Sequence, residues 1–358
     1  MKPQQFKTKW GDSELKVEFG RFAQQAHGSC TVQYGDTLVL ATAVRSENIR
    51  GGIDYFPLMV DFEEKLYAAG KIKGSRFIKR EGRPTDEAML SARLIDRSIR
   101  PLFDDHVRND VQVVITVLSF DKEHDPEVPA MLGASLALAT SDIPWRGPIA
   151  GVRVGHKDGK FILNPTDTQL EEESDLDLFV AGTHEKIIMI EAAAQEVPED
   201  TMRDAIAFGQ KELKPIMKFI ADIHKKIGVE KVDIKKANML AKSPEDIEAE
   251  KEVERVLEMA QEFVHQNVDK VLFDSPKASK LERRQAFAKL ADDLIAHLEA
   301  QGVEDWDLRN KAKKHIKKMV EAEVTRQILM NDRRIDGRKV TEVRPLVSEA
   351  GMLPRTHG

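Results

Sequence analysis

Short alternations of apolar and polar residues, interrupted by glycine and proline, dominate the first 230 residues of the chain. Residues 15–19 (LKVEF) alternate in this way, which predicts a half-buried strand. Residues 30–34 and 37–44 flank Gly35-Asp36, an arrangement that predicts a hairpin. Further strands are predicted over 53–63, 111–120, 151–166 (a hairpin), 176–183 and 186–197. The run 111–120 is almost continuously apolar, so we expect it to be buried on both faces.

Longer segments of the same region have helical signals. Residues 85–103 begin with Thr85 as a cap, continue with two acids and end near Pro101. Residues 129–141 are mostly small, which predicts a closely packed helix. Residues 198–228 predict a long helix in which Pro215 marks a kink or a boundary. Strands mixed with helices predict an α+β fold for residues 1 to about 230.

The pattern becomes purely helical after about residue 232. Ser243 and Pro244 combine an N-cap residue with a proline at the first helical position. Apolar residues at helical spacing then predict three helices, from Pro244 to about 272 and over about 280–300 and 306–330. These helices predict a small bundle whose charges belong to a solvated surface. Residues 333–358 return to a strand-like pattern.

Composition limits the classes of protein to which the chain can belong. Of its 358 residues, 41% are hydrophobic and 32% charged, and the formal net charge is −6. A nucleic-acid site must therefore be local, because the chain as a whole is not basic. The single cysteine, Cys30, excludes an internal disulfide and indicates a reducing compartment. The chain has no apolar signal core at its start and no apolar run long enough to span a membrane, so we expect a cytoplasmic location.

One local concentration of positive charge lies in residues 71–83, here called the basic segment. Its six cations are Lys71, Lys73, Arg76, Lys79, Arg80 and Arg83, and they surround Phe77. Cations that neutralise phosphates, beside a ring on which a base can stack, are typical of single-strand binding. The other interpretation is a solvated loop whose Phe77 packs into the core. Arg93, Arg97 and Arg100 follow on one face of the predicted helix, where pairing with Asp86, Asp96 or a neighbouring subunit is equally expected.

No catalytic motif is evident in the chain. The histidines form neither HxH nor HExxH, and the phosphate-binding loops GxxxxGK[ST] and GxGxxG are absent. Cys30 lies in a predicted strand and is expected in the core. The acidic run 171–177, which includes Asp177, could bind a hard cation but is more typical of a loop before a strand.

The end of the chain resembles its beginning. Residues 18–29 (EFGRFAQQAHGS) and 348–358 (SEAGMLPRTHG) share an acid, a glycine, large residues and then His-Gly. The match is short, but it suggests an interrupted repeat. We therefore expect an α+β domain, a helical linker and the opening of a second α+β domain.

Several long motifs closely resemble the bacterial polynucleotide phosphorylase (polyribonucleotide nucleotidyltransferase) family over nearly the whole chain. They are residues 67–103 (YAAGKIKGSRFIKREGRPTDEAMLSARLIDRSIRPLF), GASLALATSDIPWRGPIAGVRVG, LNPT, LDLFVAG and RRIDGRKVTEVRPL…LPRTHG. The resemblance implies an α+β RNase PH-like domain (ribosomal protein S5 domain 2-like) and then a small all-α domain. The implied bounds are 1–144 and 145–231 for the two RNase PH-like subdomains, 240–330 for the helical domain and 331–358 for the start of a second RNase PH-like domain.

The resemblance also implies an activity. The family degrades single-stranded RNA from its 3′ end with inorganic phosphate, releases nucleoside diphosphates and uses Mg²⁺. It forms homotrimeric rings, and RNA-degradosome proteins are candidate further partners. The basic segment resembles the family's channel constriction. Carried over by position, the RNA contacts are Phe77, Lys79, Arg80 and Arg83, with Arg76 as an additional cation in this chain.

The resemblance implies that the catalytic residues of the family belong to the second RNase PH-like domain. It therefore implies no catalytic residues in this chain. Asp177 matches the position of one metal-binding acid and is the candidate metal ligand here. Phe179 stands where the active copy has a lysine. We therefore expect an enzyme by family, in which this part supplies the RNA grip and the ring scaffold.

Two alternatives remain. One is a non-catalytic RNA-binding ring subunit of an exosome-like assembly. This alternative would be excluded if the gene continued after Gly358 into a second domain with an Asp-x-Asp-x-Lys strand. The other is a single-domain RNase PH, which the helical linker and the repeated tail disfavour.

Overall fold

The computed structural model describes residues 3–49, 53, 55–72, 74, 82–104, 106–233 and 244–355. The chain divides into two compact units, Met1–Asn238 and Met239–Gly358. Each unit has its own apolar core. Among the described residues, no helix is both long and apolar enough to cross a membrane.

A six-stranded sheet forms the first half of the first unit. Its strands are β1 (Gln4–Trp10), β2 (Ser13–Phe19), β3 (Gly28–Tyr34), β4 (Thr37–Ile49), β5 (Leu58–Glu64) and β6 (Asn109–Ser119). They lie in the order β1-β2-β3-β4-β6-β5, and β5 pairs in parallel with β6 while the other pairs are antiparallel. The predicted hairpin is confirmed, because β3 and β4 meet across Gly35, whose φ is +60°.

A four-stranded antiparallel sheet forms the second half of this unit. Its strands are β7 (Ala150–Lys157), β8 (Lys160–Leu163), β9 (Leu176–Gly182) and β10 (Ile187–Ala194), in the order β10-β9-β7-β8. The helices of the unit are α1 (Asp86–Ile99), α2 (Glu127–Thr140), α3 (Asp167–Glu173) and α4 (Glu199–Ile227).

Helix α2 is the central element of the core, since it packs on β3 and β4 of one sheet and on β7 of the other. All of its residues from Val128 to Thr140 are buried. Its small side chains let the backbones approach closely, because a Cβ at Gly133 would lie 2.9 Å from the Cβ of Ala41. The predicted close packing is therefore confirmed. Cys30 is buried on β3 beside this helix, and burial raises the pKa of its thiol to about 12.

Helix α4 runs through Pro215 without a break, so the predicted boundary there is wrong. A proline inside a helix costs about 3 kcal/mol. The helix nevertheless continues, because its apolar face packs on the second sheet on both sides of the proline. Buried residues of that face include Leu213 before Pro215 and Ile216 and Ile220 after it.

The second unit is a bundle of helices α5 (Pro244–Leu272), α6 (Lys280–Ala300) and α7 (Trp306–Asn331). Ser279 and Glu282 form a capping box at the start of α6, and Asp305 caps α7. The predicted cap Ser243 lies outside the described residues. Residues such as Val264, Leu294 and Ile316 fill the core.

Four local predictions need correction. Strand β1 was missed, because its only buried side chain is Trp10. Strand β6 buries one face only, since its accessible positions alternate with buried ones and α2 covers a single side of the sheet. The acidic run 171–177 is not one loop, because residues 171–173 belong to α3, which starts with a capping box of Thr166 and Gln169, and Asp177 lies in β9. Residues 333–355 contain no strand in the part that is described, and their apolar side chains, such as Val343 and Leu346, are exposed without a partner strand.

Candidate functional site

The basic segment connects β5 to α1. Four of its predicted RNA contacts, Arg76, Phe77, Lys79 and Arg80, lie outside the described residues. Arg83 is described and exposed, and its Nη2 lies 3.7 Å from Sδ of Met89 on α1. These residues therefore remain predictions.

Both ends of the basic segment are fixed by hydrogen bonds. At its start, the amide of Lys71 donates to the carbonyl of Leu66 over 2.9 Å, closing a 3-10 turn. At its end, the hydroxyl of Thr85 accepts from the Ala88 amide at 3.0 Å and donates to Glu64 at 2.8 Å. The predicted N-cap is thus confirmed. It ties the end of the segment both to α1 and to β5.

The three arginines of α1 have different surroundings. Arg100 pairs with Asp96 at 2.8 Å and also donates to the carbonyl of Leu58, so its predicted pairing is confirmed. Arg97 lies 3.5 Å from Glu191 of β10. Arg93 is exposed, and among the described residues no carboxylate pairs with it. Arg93 is therefore the one of the three whose charge is not neutralised by a described neighbour.

A cavity of about 260 Å³ lies where α1, the start of α2 and strands β7, β9 and β10 meet. We call it the acidic pocket. Its lining includes Ser91, Glu127, Arg153, Asp177, Phe179 and Glu191. The candidate ligand Asp177 is therefore part of a pocket that elements distant in sequence build together.

Arg153 is the one cation among the described residues that line the acidic pocket. Its guanidinium forms ion pairs with Asp125 and, at 2.8 Å, with Asp177, and it lies 3.6 Å from Glu127. Arg153 and Asp177 are diagonal neighbours on β7 and β9, because Arg153 faces Phe179 in the register. A guanidinium therefore occupies the space between three carboxylates.

Glu127 is as little exposed as Asp125 and less exposed than Asp177. Burial raises the pKa of its carboxyl, the hydrogen bond from Ser91 opposes that rise, and the charges of Glu191 and Asp177 add to it. The Ser91 hydroxyl donates to it over 2.6 Å. A raised carboxyl pKa is what burial and nearby negative charges produce, because both disfavour the ionised form.

Phe179 closes the floor of the acidic pocket and is only 3% exposed. Its ring lies against Gly151, where a Cβ would come within 2.6 Å of Cζ. A buried hydrocarbon ring can neither bind phosphate nor transfer a proton. In the described part of the chain, no cluster of His, Cys, Asp and Glu is arranged to hold a metal ion.

Sequence reasoning identified Asp177 and Phe179 but not the charged residues around them. Asp125 and Glu127 lie together at the start of α2, whereas Arg153 belongs to β7, and no linear motif connects them. One signal was available: Arg153 interrupts the apolar strand GVRVG. A cation at such a position requires an acidic partner, because burying an unpaired charge is costly.

Comparison with known proteins gives consistent matches. The model of the 3′ exoribonuclease family, domain 1, matches residues 13–144, and that of domain 2 matches residues 147–212. The polyribonucleotide nucleotidyltransferase of Anoxybacillus flavithermus is 46% identical over 353 residues, which are 99% of this chain and 47% of that protein. The enzyme of the same name from Bacillus cytotoxicus is 47% identical over 345 residues, or 96% of this chain and 46% of the relative. The chain thus spans about half the length of the curated relatives it matches.

Two solved structures show a more distant likeness, each at 16% identity and a TM-score of 0.46. One is the Archaeoglobus fulgidus exosome with RNA bound to the active site, where 57% of this chain and 87% of that chain are covered. The other is rice (Oryza sativa) Rrp46, where 61% and 92% are covered. The two family models together match more than half of the chain, and the bacterial relatives match nearly all of it. The chain therefore belongs to the 3′ exoribonuclease family, within which it is similar to the N-terminal half of bacterial polyribonucleotide nucleotidyltransferases.

Proposed function

We propose that the chain is the RNA-gripping and ring-forming part of a phosphorolytic 3′→5′ exoribonuclease that takes part in mRNA degradation. The observation that carries this proposal is the 46% identity over 99% of the chain to polyribonucleotide nucleotidyltransferase. In such a reaction, an oxygen of inorganic phosphate attacks the phosphorus that links the last nucleotide to the RNA. The bond from that phosphorus to the preceding 3′ oxygen breaks. That oxygen takes up a proton and becomes the new 3′ end, and the last nucleotide leaves as a nucleoside diphosphate.

The basic segment would hold the RNA strand. Phe77 would stack on a base, while Arg76, Lys79, Arg80 and Arg83 would neutralise phosphates. The anchoring of both ends of the segment supports this role, because a binding loop with fixed ends loses less entropy when its ligand binds.

The acidic pocket supports a non-catalytic role for this unit. Magnesium needs several oxygen ligands around one point. Both oxygens of Asp177 are instead engaged by Arg153, at 2.8 and 3.3 Å. The described residues therefore do not fit a magnesium site, and we assign the metal and the phosphate of the reaction to parts of the enzyme beyond these residues.

The assembly and the location of the enzyme complete the proposal. Three copies would form a ring around the RNA, in the cytoplasm, with RNA-degradosome proteins as candidate partners. The domain bounds 1–144, 145–231, 240–330 and 331–358 belong to the same proposal. The alternative is a non-catalytic ring subunit of an exosome-like assembly. It assigns the same RNA-binding role to the basic segment, but under it the complete protein would have no phosphorolytic activity.

One experiment tests both parts of the proposal. The chain is mixed with poly(A), phosphate and Mg²⁺, and RNA binding and ADP release are measured together. We expect the chain to bind single-stranded RNA and to release no ADP. Phe77→Ala and Arg80→Ala should each weaken RNA binding, and in Arg80→Ala the affinity should also depend less on salt concentration. Robust ADP release would contradict the non-catalytic role, and unchanged affinity in both variants would contradict the RNA grip. ADP release by the complete protein excludes the alternative.

A further inference from the structure

Helix α7 carries a dense cluster of positive charge in the second unit. Residues 311–318 read KAKKHIKK, which is five lysines and no acid in eight residues. We call Lys311, Lys313, Lys314, Lys317 and Lys318 the lysine patch. All five side chains are exposed, in a chain whose net charge is −6. The patch therefore differs in charge from the chain as a whole.

The lysine patch lies on the solvent side of α7. The core side of the helix is formed by Ala312, Ile316 and Val320, which are buried. Lys311, Lys314 and Lys318 are three, four and seven positions apart, so they form one row along the helix. With a rise of 1.5 Å per residue, the row is about 10 Å long.

Neighbouring acids neutralise only part of this charge. Lys313 pairs with Asp292 of α6 at 2.9 Å, and Lys317 lies 3.7 Å from Glu321. Among the described residues, no carboxylate pairs with Lys311 or Lys314. Like charges three or four residues apart destabilise a helix. The lysine patch thus opposes the stability of the helix that carries it, which suggests an anionic ligand.

An exposed ring accompanies the lysine patch. Trp306, the first residue of α7, is 67% exposed. It is seven residues before Lys313 and therefore shares a face with that lysine. A surface that combines an exposed tryptophan with cations suits single-stranded nucleic acid, because bases stack on the ring while phosphates contact the cations. An acidic protein would use the cations but has less need of the ring.

We propose that the lysine patch and Trp306 form a second RNA-binding surface, separate in sequence from the basic segment, which takes the phosphate backbone of single-stranded RNA without selecting its sequence. The inference rests on the proposed function, since it assumes that the chain binds RNA. It adds a site in the helical unit to the one proposed in the first unit.

The test compares two triple variants of the full chain. The first is Lys311→Gln, Lys314→Gln and Lys318→Gln. The control is Lys211→Gln, Lys214→Gln and Lys218→Gln on α4, which removes the same charge from exposed lysines with the same spacing. Glutamine and lysine have similar helix propensity, so both variants should fold, and circular dichroism checks this. Affinity for fluorescent oligo(A) is measured by anisotropy at several salt concentrations.

We expect the first variant to bind RNA more weakly. The slope of log affinity against log salt concentration should become less steep by about 2, since each of three lost phosphate contacts on a single strand contributes about 0.7. Over a fourfold rise in salt, the unmodified chain should then lose about 16-fold more affinity than this variant. Trp306→Ala should weaken binding at all salt concentrations, and Trp306→Phe should restore most of it. The control triple should bind as the unmodified chain does.

Other outcomes overturn the inference. Equal losses in both triple variants would indicate a general effect of net charge. If the first variant keeps its RNA affinity but no longer binds an acidic protein that the unmodified chain binds, the lysine patch is a protein-binding surface. If the unmodified chain binds no RNA, the proposed function itself fails. If Arg80→Ala weakens RNA binding and the first triple variant does not, only the proposal for the lysine patch is rejected.

Discussion

Arg153 shows how a single side chain can decide the character of a pocket. Its side chain is only 16% exposed and faces Asp125 and Glu127 at the start of α2 and Asp177 on β9. Without it, three carboxylates would share a small space with no counter-charge. Removing one partner of a largely buried ion pair is costly, because the other partner remains buried and unpaired.

We predict that Arg153→Met lowers the free energy of unfolding at pH 7 by about 3 kcal/mol. Chemical denaturation measures this change. Arg203→Met is the matched control: Arg203 also pairs with two acids, Asp200 and Asp204, but it is 71% exposed, so its loss should cost less than about 1 kcal/mol. Similar losses in the two variants would show that Arg153 does not hold the acidic pocket together.

At the scale of elements, three loops of the first unit meet at the side chain of Asp121. Its carboxylate accepts hydrogen bonds from the amides of Asp36, Glu123 and His124 at 2.8 to 2.9 Å. His124 extends the chain of bonds to Ser13 at 2.9 Å, the first residue of β2 directly after the β1–β2 turn. One carboxylate thereby fastens the β1–β2 turn, the β3–β4 turn and the loop before α2.

This network predicts a pH-dependent stability. Burial alone would raise the pKa of Asp121, but the hydrogen bonds from His124, Glu123 and Asp36 outweigh it and hold the pKa well below the ordinary range. A depressed carboxyl pKa stabilises the fold above the unfolded pKa of about 3.9, and this contribution is lost as pH falls further. Asp121→Asn should therefore cost about 2 kcal/mol at pH 7 and progressively less below pH 4, as followed by urea unfolding. The control Asp293→Asn, at an exposed site on α6, should hardly change the free energy of unfolding. If the loss of unfolding free energy in Asp121→Asn does not depend on pH, the ionic explanation is refuted.

At the scale of the whole molecule, the two units have separate cores. We predict two unfolding transitions in calorimetry, because each core can melt without the other. Leu294→Ala removes a fully buried side chain of the helical unit and should cost about 2–5 kcal/mol, shifting only one transition. Leu281→Ala on the same helix is the control, since that leucine is 63% exposed. A single transition that moves as a whole would contradict independent cores.

The sequence predicted this molecule well where structure is local. The hairpin around Gly35, the cap Thr85 and the small-residue helix α2 depend on neighbours in the chain, and each was found. Strand β1 and the one-sided burial of β6 were missed, since pairing and covering elements decide them. The acidic pocket is built by residues between positions 87 and 193, so only Asp177 and Phe179 were recognised, and by resemblance rather than by spacing.

Cys30 has a practical consequence for testing the proposed ring. It is the only cysteine of the chain, and its thiol is buried with a pKa of about 12, so thiol-specific labels should not react with it in the folded protein. A variant such as Ser75→Cys would then carry a single reactive group in the basic segment. Spin labels attached there would report the spacing between copies by electron paramagnetic resonance, with three equal distances expected for a threefold ring.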